Sequence, residues 1–222
     1  MSRKPEEDAS KQIISVVLAL LESEGYDAVQ LREVARLARV SLATVYKRFP
    51  TRDDLIVAAI EQWMADNSYA GVLPPAADET LYSGLMRVLR YIFEPWERNP
   101  RMLEAYHRAR TGAGGQRLDA QGMSAMLPIA AQLVAGAEPA YVEDIGLILA
   151  NMTYALTGRF VDKTLEITEI LPILERAVFR LTSNNESAAA AARLGGTANA
   201  EPFTVDPSLA SPYNPNPGNP SA

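Results

Sequence analysis

The residue types between positions 42 and 48 suit hydrogen bonding to nucleic acid. Thr44 carries a hydroxyl and Lys47 an amine, and both groups can donate to the edges of bases in a major groove. Small residues near the start would let a helix over this stretch enter that groove. Such a helix would expose Leu42, Ala43, Thr44, Lys47 and Arg48 and would turn Val45 and Phe49 inward. The alternative is an ordinary helical hairpin within a bundle.

The charge distribution supports an anionic partner at the N-terminal end. The whole chain carries a formal charge of −6, yet residues 26–52 hold six basic and two acidic side chains. A locally basic end on an acidic body is typical of a protein that presents one tip to phosphate. The alternative is chance clustering of basic residues on a solvated face.

Residue counts exclude several other chemistries. Cysteine is absent, which rules out disulfides, thiolate catalysis and cysteine-ligated metal sites. His107 is the single histidine, so a multi-histidine metal site is impossible. No apolar run is long enough to span a membrane, and the charged N-terminus carries no signal segment. We therefore expect a soluble cytoplasmic protein without a membrane partner.

An enzyme on a helical bundle is the main alternative of a different class. Glu104 and His107 have the i, i+3 spacing found in di-iron sites, and Glu94 and Glu97 could complete such a set. A site of that kind needs two Glu-x-x-His units, whereas this chain has one histidine. We therefore expect no catalytic residues, no metal and no cofactor.

Helices must position these side chains, because helical periodicity runs through the sequence and strand signals are nearly absent. Ser41 and Thr51 are expected N-caps, and Asp54 completes a capping box with Thr51. Pro95 should kink or end its helix, and Pro128 should bend another. The predicted helices cover residues 6–24, 31–38, 41–49, 51–68, 78–95, 100–111, 116–135, 139–156 and 167–181.

This pattern predicts an all-α protein in three parts. Residues 1–50 form a three-helix DNA-binding domain, and residues 51–183 form a ligand-binding and dimerisation domain reached through the helix at 51–68. Residues 71–77 are a break that contains two consecutive prolines. Residues 184–222 are rich in proline and asparagine and should be a disordered tail, because they offer too little apolar surface to offset the entropy of ordering.

Residues 31–49 read as two short helices around a tight turn, the helix-turn-helix arrangement. Ala35 and Val40 are small and apolar where the two helices would cross closely. The segment VSLATVYKRFPTRDDL at residues 40–55 resembles the TetR family signature V-S-x-G-T-L-Y-x-Y-F-x-S-K-x-x-L, and GYDAVQLREVA at 25–35 resembles the motif that precedes it. Ala43, Arg48 and Leu42 depart from that signature and leave the operator sequence open.

The resemblance implies roles for individual residues. Tyr46 is similar to a tyrosine whose hydroxyl contacts a backbone phosphate, and Arg52 replaces a lysine that binds another phosphate. Helix N-termini also favour anions on physical grounds. Gln30 and Arg32 stand where family members touch the DNA backbone. The expected DNA-binding set is Gln30, Arg32, Ser41, Leu42, Ala43, Thr44, Tyr46, Lys47, Arg48 and Arg52.

TetR-like proteins have a helical second domain that dimerises through its last two helices and encloses a ligand. The helices at 139–156 and 167–181 carry more apolar surface than one core stripe needs, and a twofold partner would bury the excess. The expected dimer contacts are Val142, Ile145, Leu149, Ile173, Leu174, Ala177 and Val178. Such a dimer would bind a palindromic operator in double-stranded DNA.

Methionines and aromatic residues on the intervening helices suit a bulky apolar effector. Residues 97–109 resemble the cholesterol-catabolism repressors of the TetR family, which respond to steroid acyl-CoA thioesters. By that resemblance Arg108, Arg110 or Arg117 would meet a phosphate-bearing head group. The expected ligand contacts are Met86, Phe93, Trp96, Met102, Tyr106, Arg108, Met123, Met126 and Tyr154. An adaptor that binds protein through its apolar faces, without an effector, remains an alternative.

Overall fold

The computed structural model describes residues 3–76 and 78–183. Within that part of the chain all regular structure is helical, in agreement with the predicted fold class. The α-helices are α1 Arg3–Ser23, α2 Leu31–Leu37, α3 Leu42–Arg48, α4 Arg52–Met64, α5 Leu81–Arg98, α6 Pro100–Arg110, α7 Gln116–Leu133, α8 Pro139–Val161 and α9 Ile167–Thr182. The predicted disordered tail at residues 184–222 lies outside the described residues.

Local capping residues set the starts of α3 and α4 as the sequence predicts. The Ser41 hydroxyl accepts a hydrogen bond from the backbone N–H of Thr44 at 3.0 Å. At α4, Thr51 Oγ1 accepts from the N–H of Asp54 at 3.0 Å, and an Asp54 carboxylate oxygen accepts from the N–H of Thr51 at 3.2 Å. These bonds satisfy N–H groups that have no partner within the helix.

The helix predicted at residues 51–68 is in fact two pieces. The α-helix ends at Met64, and a π-helical turn, Ala65–Tyr69, continues it into the linker. Helix α5 begins at Leu81 rather than at residue 78, because the Thr80 hydroxyl caps it by accepting from the N–H of Ser83 at 3.1 Å.

Of the two outcomes expected at Pro95, an end of the helix is excluded, since α5 continues to Arg98. A proline removes only one helical hydrogen bond, and burial of Pro95 with Phe93 and Trp96 offsets that loss. Helix α8 also runs beyond the predicted end at residue 156, to Val161. No proline or glycine pair interrupts α8 there, and Phe160 is buried.

One continuous apolar core joins the two ends of the molecule. Helix α1 packs on α4, and α2 and α3 pack on each other beside α1. At the other end α9 packs against both α5 and α8. Helices α4 and α6 lie between these two groups, because α4 contacts α1, α6 and α7 while α6 contacts α1 and α8. Helix α6 therefore contacts helices at both ends of the molecule.

Candidate nucleic-acid interface and ligand cavity

The turn between α2 and α3 holds the two helices in a fixed relation. Arg39 has a φ of 53°, in the left-handed region, and the N–H of Val40 donates to the carbonyl of Ala35 at 3.0 Å. This bond closes the C-terminus of α2. Ala35 and Ala38 are both buried, so the backbones of the two helices approach closely. The helix-turn-helix geometry expected at residues 31–49 is thus present.

Helix α3 presents part of the expected set to solvent. Val45 and Phe49 are buried, as predicted, while Ala43 and Lys47 are exposed and Tyr46 is 50% exposed. Ser41 is exposed at the helix start, and Gln30 and Arg32 are exposed at the start of α2. These side chains are therefore accessible to a binding partner.

Three members of the expected set are less accessible than the sequence predicts. Leu42 packs partly against the core, and Arg48 is half-buried at the end of α3. Thr44 is also half-buried, and its hydroxyl shares a hydrogen bond with the Ser41 hydroxyl at 2.8 Å. Leu42 lies on the same side of α3 as the buried Val45 and Phe49, which is why it packs against the core.

Arg52 is turned toward the protein rather than outward. Its Nε donates to the carbonyl of Val29 at 2.6 Å, and its Nη2 donates to the carbonyl of Tyr26 at 2.5 Å. The guanidinium carbon also lies 4.6 Å from the centroid of the Tyr26 ring. In this arrangement Arg52 ties the start of α4 to the loop before α2, which differs from the outward position that a phosphate contact requires.

Arg108 takes part in the same cluster. Its Nη1 and Nη2 each donate to a carboxylate oxygen of Asp27 at 2.8 Å, and its guanidinium carbon lies 4.2 Å from the Tyr26 ring centroid. The hydrogen bonds from Arg108 lower the pKa of Asp27 below its usual value. Tyr26 therefore stacks with two arginines, one from α4 and one from α6. The expected ligand contact at Arg108 is not supported, since this side chain is absent from the cavity wall.

A cavity of about 320 Å³ lies among α4, α5, α6, α7 and α8. Six of the nine expected ligand contacts line it: Phe93, Trp96, Tyr106, Met123, Met126 and Tyr154. Met86 and Met102 do not line it, because both side chains are buried in the core away from the cavity. Helical periodicity places apolar residues inward without telling which ones border an empty space.

Arg110, one of the three arginines that the resemblance offers for a head group, lines the cavity and forms an ion pair with Asp119, which the sequence analysis did not single out. A basic residue at the end of one helix and an acid in the first turn of the next is a signal that the sequence does contain. Tyr69 was missed for a different reason, because the π-helical turn that brings it to the wall has no sequence signature. The further lining residues are Met64, Ile92, Leu103, Leu118, Gly122, Thr153 and Thr157.

Aromatic rings form one side of the cavity. The Trp96 ring centroid lies 4.3 Å from that of Trp63 and 5.3 Å from that of Tyr106. Burial raises the pKa of Tyr106 to about 12, and burial also raises the pKa of Tyr69. Both phenols therefore stay protonated at neutral pH. The wall offers stacking surfaces together with neutral hydroxyl groups.

The predicted dimer contacts differ in how far they are buried within the chain. Ile145, Leu149, Leu174 and Val178 are buried within the chain itself, so they cannot supply a surface for a second copy. The remaining three, Val142, Ile173 and Ala177, are half-buried. Three apolar side chains that were not in the predicted set are the exposed ones, namely Leu147 at 63%, Ile148 at 39% and Phe179 at 58%. The excess apolar surface thus exists, but it lies on a different stripe of each helix.

The described residues contain neither a candidate metal cluster nor a candidate membrane span. No group of three or more histidine, aspartate or glutamate side chains there is arranged to hold a metal ion. None of the described helices combines the length and the apolar character needed to cross a membrane.

Comparisons with known families match both halves of the chain. Residues 13–59 match the model "Bacterial regulatory proteins, tetR family", and residues 79–181 match "Tetracyclin repressor-like, C-terminal domain". The first match covers α2 and α3 with most of α1 and the first half of α4. The second covers α5 to α8 and nearly all of α9.

Individual relatives agree with these matches. The chain is 31% identical over 109 residues to "HTH-type transcriptional repressor KstR" of Rhodococcus jostii RHA1, which is 49% of this chain and 50% of the relative. It is 44% identical over 48 residues to an uncharacterized HTH-type transcriptional regulator of Mycobacterium tuberculosis, 22% of this chain and 24% of the relative. The chain thus spans at most about half the length of these curated relatives.

A solved structure supports the fold over a longer stretch. A TetR transcriptional regulator from Rhodococcus sp. RHA1 superposes with a TM-score of 0.61 at 19% sequence identity. The superposition covers 84% of this chain and all of the other. At that identity the likeness concerns the helical architecture alone.

Proposed function

Since the chain belongs to the TetR family, with both of that family's domains matched in order, we propose that it is a DNA-binding transcriptional repressor of the cytoplasm. It acts as a homodimer on a palindromic operator in double-stranded DNA, and a hydrophobic small molecule releases it. The relatives named above carry the names of regulators, which favours this function over a helical-bundle enzyme.

The observation that carries the proposal is the exposed side of α3 on a rigid helix-turn-helix. Tyr46 and Lys47 project from a helix that the Arg39 turn and the Ser41 cap hold in place. A fixed helix of this kind reads a major groove, while exposed basic residues near it bind phosphates. The basic excess over residues 26–52 provides the attraction to DNA.

The cavity supports the effector half of the proposal. An adaptor that works without an effector would have a filled second domain, whereas this domain holds a cavity of about 320 Å³ lined by aromatic rings and methionines. Ligand pockets typically begin at about 300 Å³. A ligand can shift the protein off DNA only by binding more tightly to a conformation whose recognition helices are wrongly spaced.

A mobility-shift titration on DNA flanking the protein's own gene tests the DNA-binding function. We expect a saturable complex at low ionic strength whose affinity falls as salt rises, because phosphate contacts release counterions. Unrelated DNA of the same length serves as the control. Equal affinity for both DNAs, or no complex with either, would contradict the proposal.

Two variants of α3 separate base reading from phosphate binding. Tyr46→Phe should weaken binding to all sequences alike, because it removes a hydroxyl that contacts the backbone. Lys47→Ala should change the ranking of operator variants, with losses of about 1–3 kcal/mol at the base pair that it reads. Titrations on a panel of single-base operator variants measure both effects. A uniform loss for Lys47→Ala would reassign this residue to the backbone.

A further inference from the structure

The charges on the cavity wall cancel each other. Arg110 and Asp119 are the two charged residues among the lining side chains, and they form an ion pair between Arg110 Nε and an Asp119 carboxylate oxygen. The other arginines that sequence analysis associates with a ligand are engaged elsewhere. Arg108 binds Asp27, and Arg117 binds Glu61, away from the wall.

Helix ends and an aromatic ring hold this pair in place. Arg110 is the last residue of α6, where the helix dipole favours a cation, and Asp119 lies in the first turn of α7, where it favours an anion. The guanidinium carbon of Arg110 lies 3.8 Å from the Tyr154 ring centroid. The positive charge of Arg110 is thus balanced by a carboxylate within the wall, and one face of its guanidinium is covered by a ring.

The remaining polar groups on the wall are neutral. The hydroxyl of Thr153 donates to the carbonyl of Ala150 at 2.8 Å, and that of Thr157 donates to the carbonyl of Thr153 at 2.8 Å. Each hydroxyl oxygen keeps lone pairs that can accept a hydrogen bond from a ligand. Tyr69, Tyr106 and Tyr154 add phenol groups, and the rest of the wall consists of Gly122 and apolar or aromatic side chains.

From this wall we propose that the effector is a compact, uncharged molecule with an apolar, ring-stacking body and a hydroxyl or carbonyl group. Carboxylates, phosphates and acyl-CoA thioesters are disfavoured, because burying a charge without a partner is costly. A volume of about 320 Å³ also falls at the small end of ligand pockets. This inference rests on the proposed function, in which the cavity binds the effector.

Tryptophan fluorescence gives a direct binding signal, since Trp96 lines the cavity and stacks on Trp63, and the chain contains these two tryptophans alone. The probes are two matched pairs at pH 7.5, 4-hydroxybiphenyl against biphenyl-4-carboxylate and 1-decanol against decanoate, with octanoyl-CoA as a larger anion. We expect each alcohol to bind about tenfold or more tightly than its carboxylate, a difference of about 1.4 kcal/mol. The proposal would be overturned if either carboxylate bound as tightly as its hydroxyl partner or more tightly, or if octanoyl-CoA bound tightly. It would also be overturned if neither 4-hydroxybiphenyl nor 1-decanol bound.

Asp119→Asn tests whether the ion pair sets this preference. The variant keeps a hydrogen-bond acceptor but leaves Arg110 without its counter-charge, so affinity for biphenyl-4-carboxylate should rise about tenfold while 4-hydroxybiphenyl changes little. Glu61→Gln is the matched control, because it releases Arg117, which does not line the cavity. An unchanged carboxylate affinity in Asp119→Asn, or an equal gain in Glu61→Gln, contradicts the assignment.

Gly122→Ala tests whether ligands occupy this cavity at all. A Cβ at Gly122 would lie 3.1 Å from the Tyr69 hydroxyl and narrow the space, so 4-hydroxybiphenyl should bind several-fold more weakly. Gly146→Ala is the control, since it makes the same change inside a helix with nothing within 4 Å. Both variants should fold, because alanine favours helix over glycine. Equal binding by the two variants would place the ligand elsewhere.

DNA binding is measured separately on the flanking DNA, so the two proposals fail in different ways. A protein that shifts operator DNA but prefers carboxylates keeps the proposed function and loses this ligand class. A protein that binds 4-hydroxybiphenyl but ignores DNA keeps the ligand class and loses the repressor function.

Discussion

Arg39 is the residue whose own conformation does most to set the recognition helix. Its φ of 53° is one that residues with a Cβ rarely adopt, and left-handed backbone costs about 1–2 kcal/mol for such a residue. The neighbouring bond from Val40 to Ala35 requires this conformation. The turn is therefore kept at the expense of local strain.

Arg39→Gly should relieve that strain and raise the free energy of unfolding by about 0.5–1 kcal/mol, after allowing for the greater freedom of glycine in the unfolded chain. Urea denaturation followed by circular dichroism measures the change. Arg39→Ala is the control, because it removes the same side chain but keeps the Cβ, and it should bring no gain. Equal stability of the two variants would mean that the turn is unstrained.

The sequence predicts well those contacts that join residues close together in the chain. The hydroxyls of Ser41 and Thr51 act on backbone groups three residues away, so their capping role can be seen in a short window. The contacts of Arg52 and Arg108 cannot be read from a short window of sequence. Arg52 binds the carbonyl of Val29, 23 residues away, and Arg108 binds Asp27, 81 residues away. Which charged group meets which is decided by the packing of whole helices.

At the scale of elements, Arg52 connects the start of α4 to the loop that leads into α2. Two charge-assisted hydrogen bonds to the carbonyls of Tyr26 and Val29 hold this junction. Helix α4 also borders the cavity through Met64. The junction therefore lies between the DNA-binding helices and the cavity.

Arg52→Ala should lower the free energy of unfolding by about 1–3 kcal/mol, because it removes two hydrogen bonds and leaves the Tyr26 carbonyl with only the N–H of Val29 at 3.4 Å. Arg52→Lys keeps the positive charge but cannot reach both carbonyls with a planar fork. If the role is structural, Lys will not restore stability in urea denaturation. If Lys restores both stability and the salt dependence of DNA binding, Arg52 acts as the phosphate contact that its position in the sequence implies.

Helix α8 shows why the sequence does not tell which of its apolar side chains are exposed. The helix is apolar on several faces, so periodicity alone does not distinguish the stripe that packs on α9 from the stripe that faces away. The structure buries Ile145 and Leu149 and exposes Leu147 and Ile148. The choice depends on where α6 and α9 lie, which no local pattern records.

At the scale of the whole molecule, the exposed apolar residues of α8 and α9 are the surface that a second copy would cover. Leu147, Ile148 and Phe179 lie on the two helices that sequence analysis assigns to dimerisation. A dimer places two copies of α3 at a fixed spacing, as a palindromic operator needs. Loss of the dimer should therefore reduce DNA affinity without any change in α3.

Leu147→Glu should convert the protein to a monomer, because it puts a charge into a desolvated contact. Light scattering coupled to size exclusion gives the mass, and a mobility shift gives the accompanying loss of operator binding. Leu73→Glu is the control, since Leu73 is equally exposed but lies in the linker before α5. A Leu147→Glu protein that stays dimeric would move the interface to another surface.

Helix α6 contacts both the cavity and the residues beside the DNA-binding helices. Tyr106 and Arg110 border the cavity. Arg108 lies between them in the sequence, and it donates hydrogen bonds to Asp27 and covers the Tyr26 ring beside the DNA-binding helices. Thermodynamic reciprocity requires that if an effector weakens operator binding by some factor, the operator weakens effector binding by that same factor. The free and DNA-bound forms would then differ in their thresholds for the same compound, and the promoter itself would set how much effector is needed for induction.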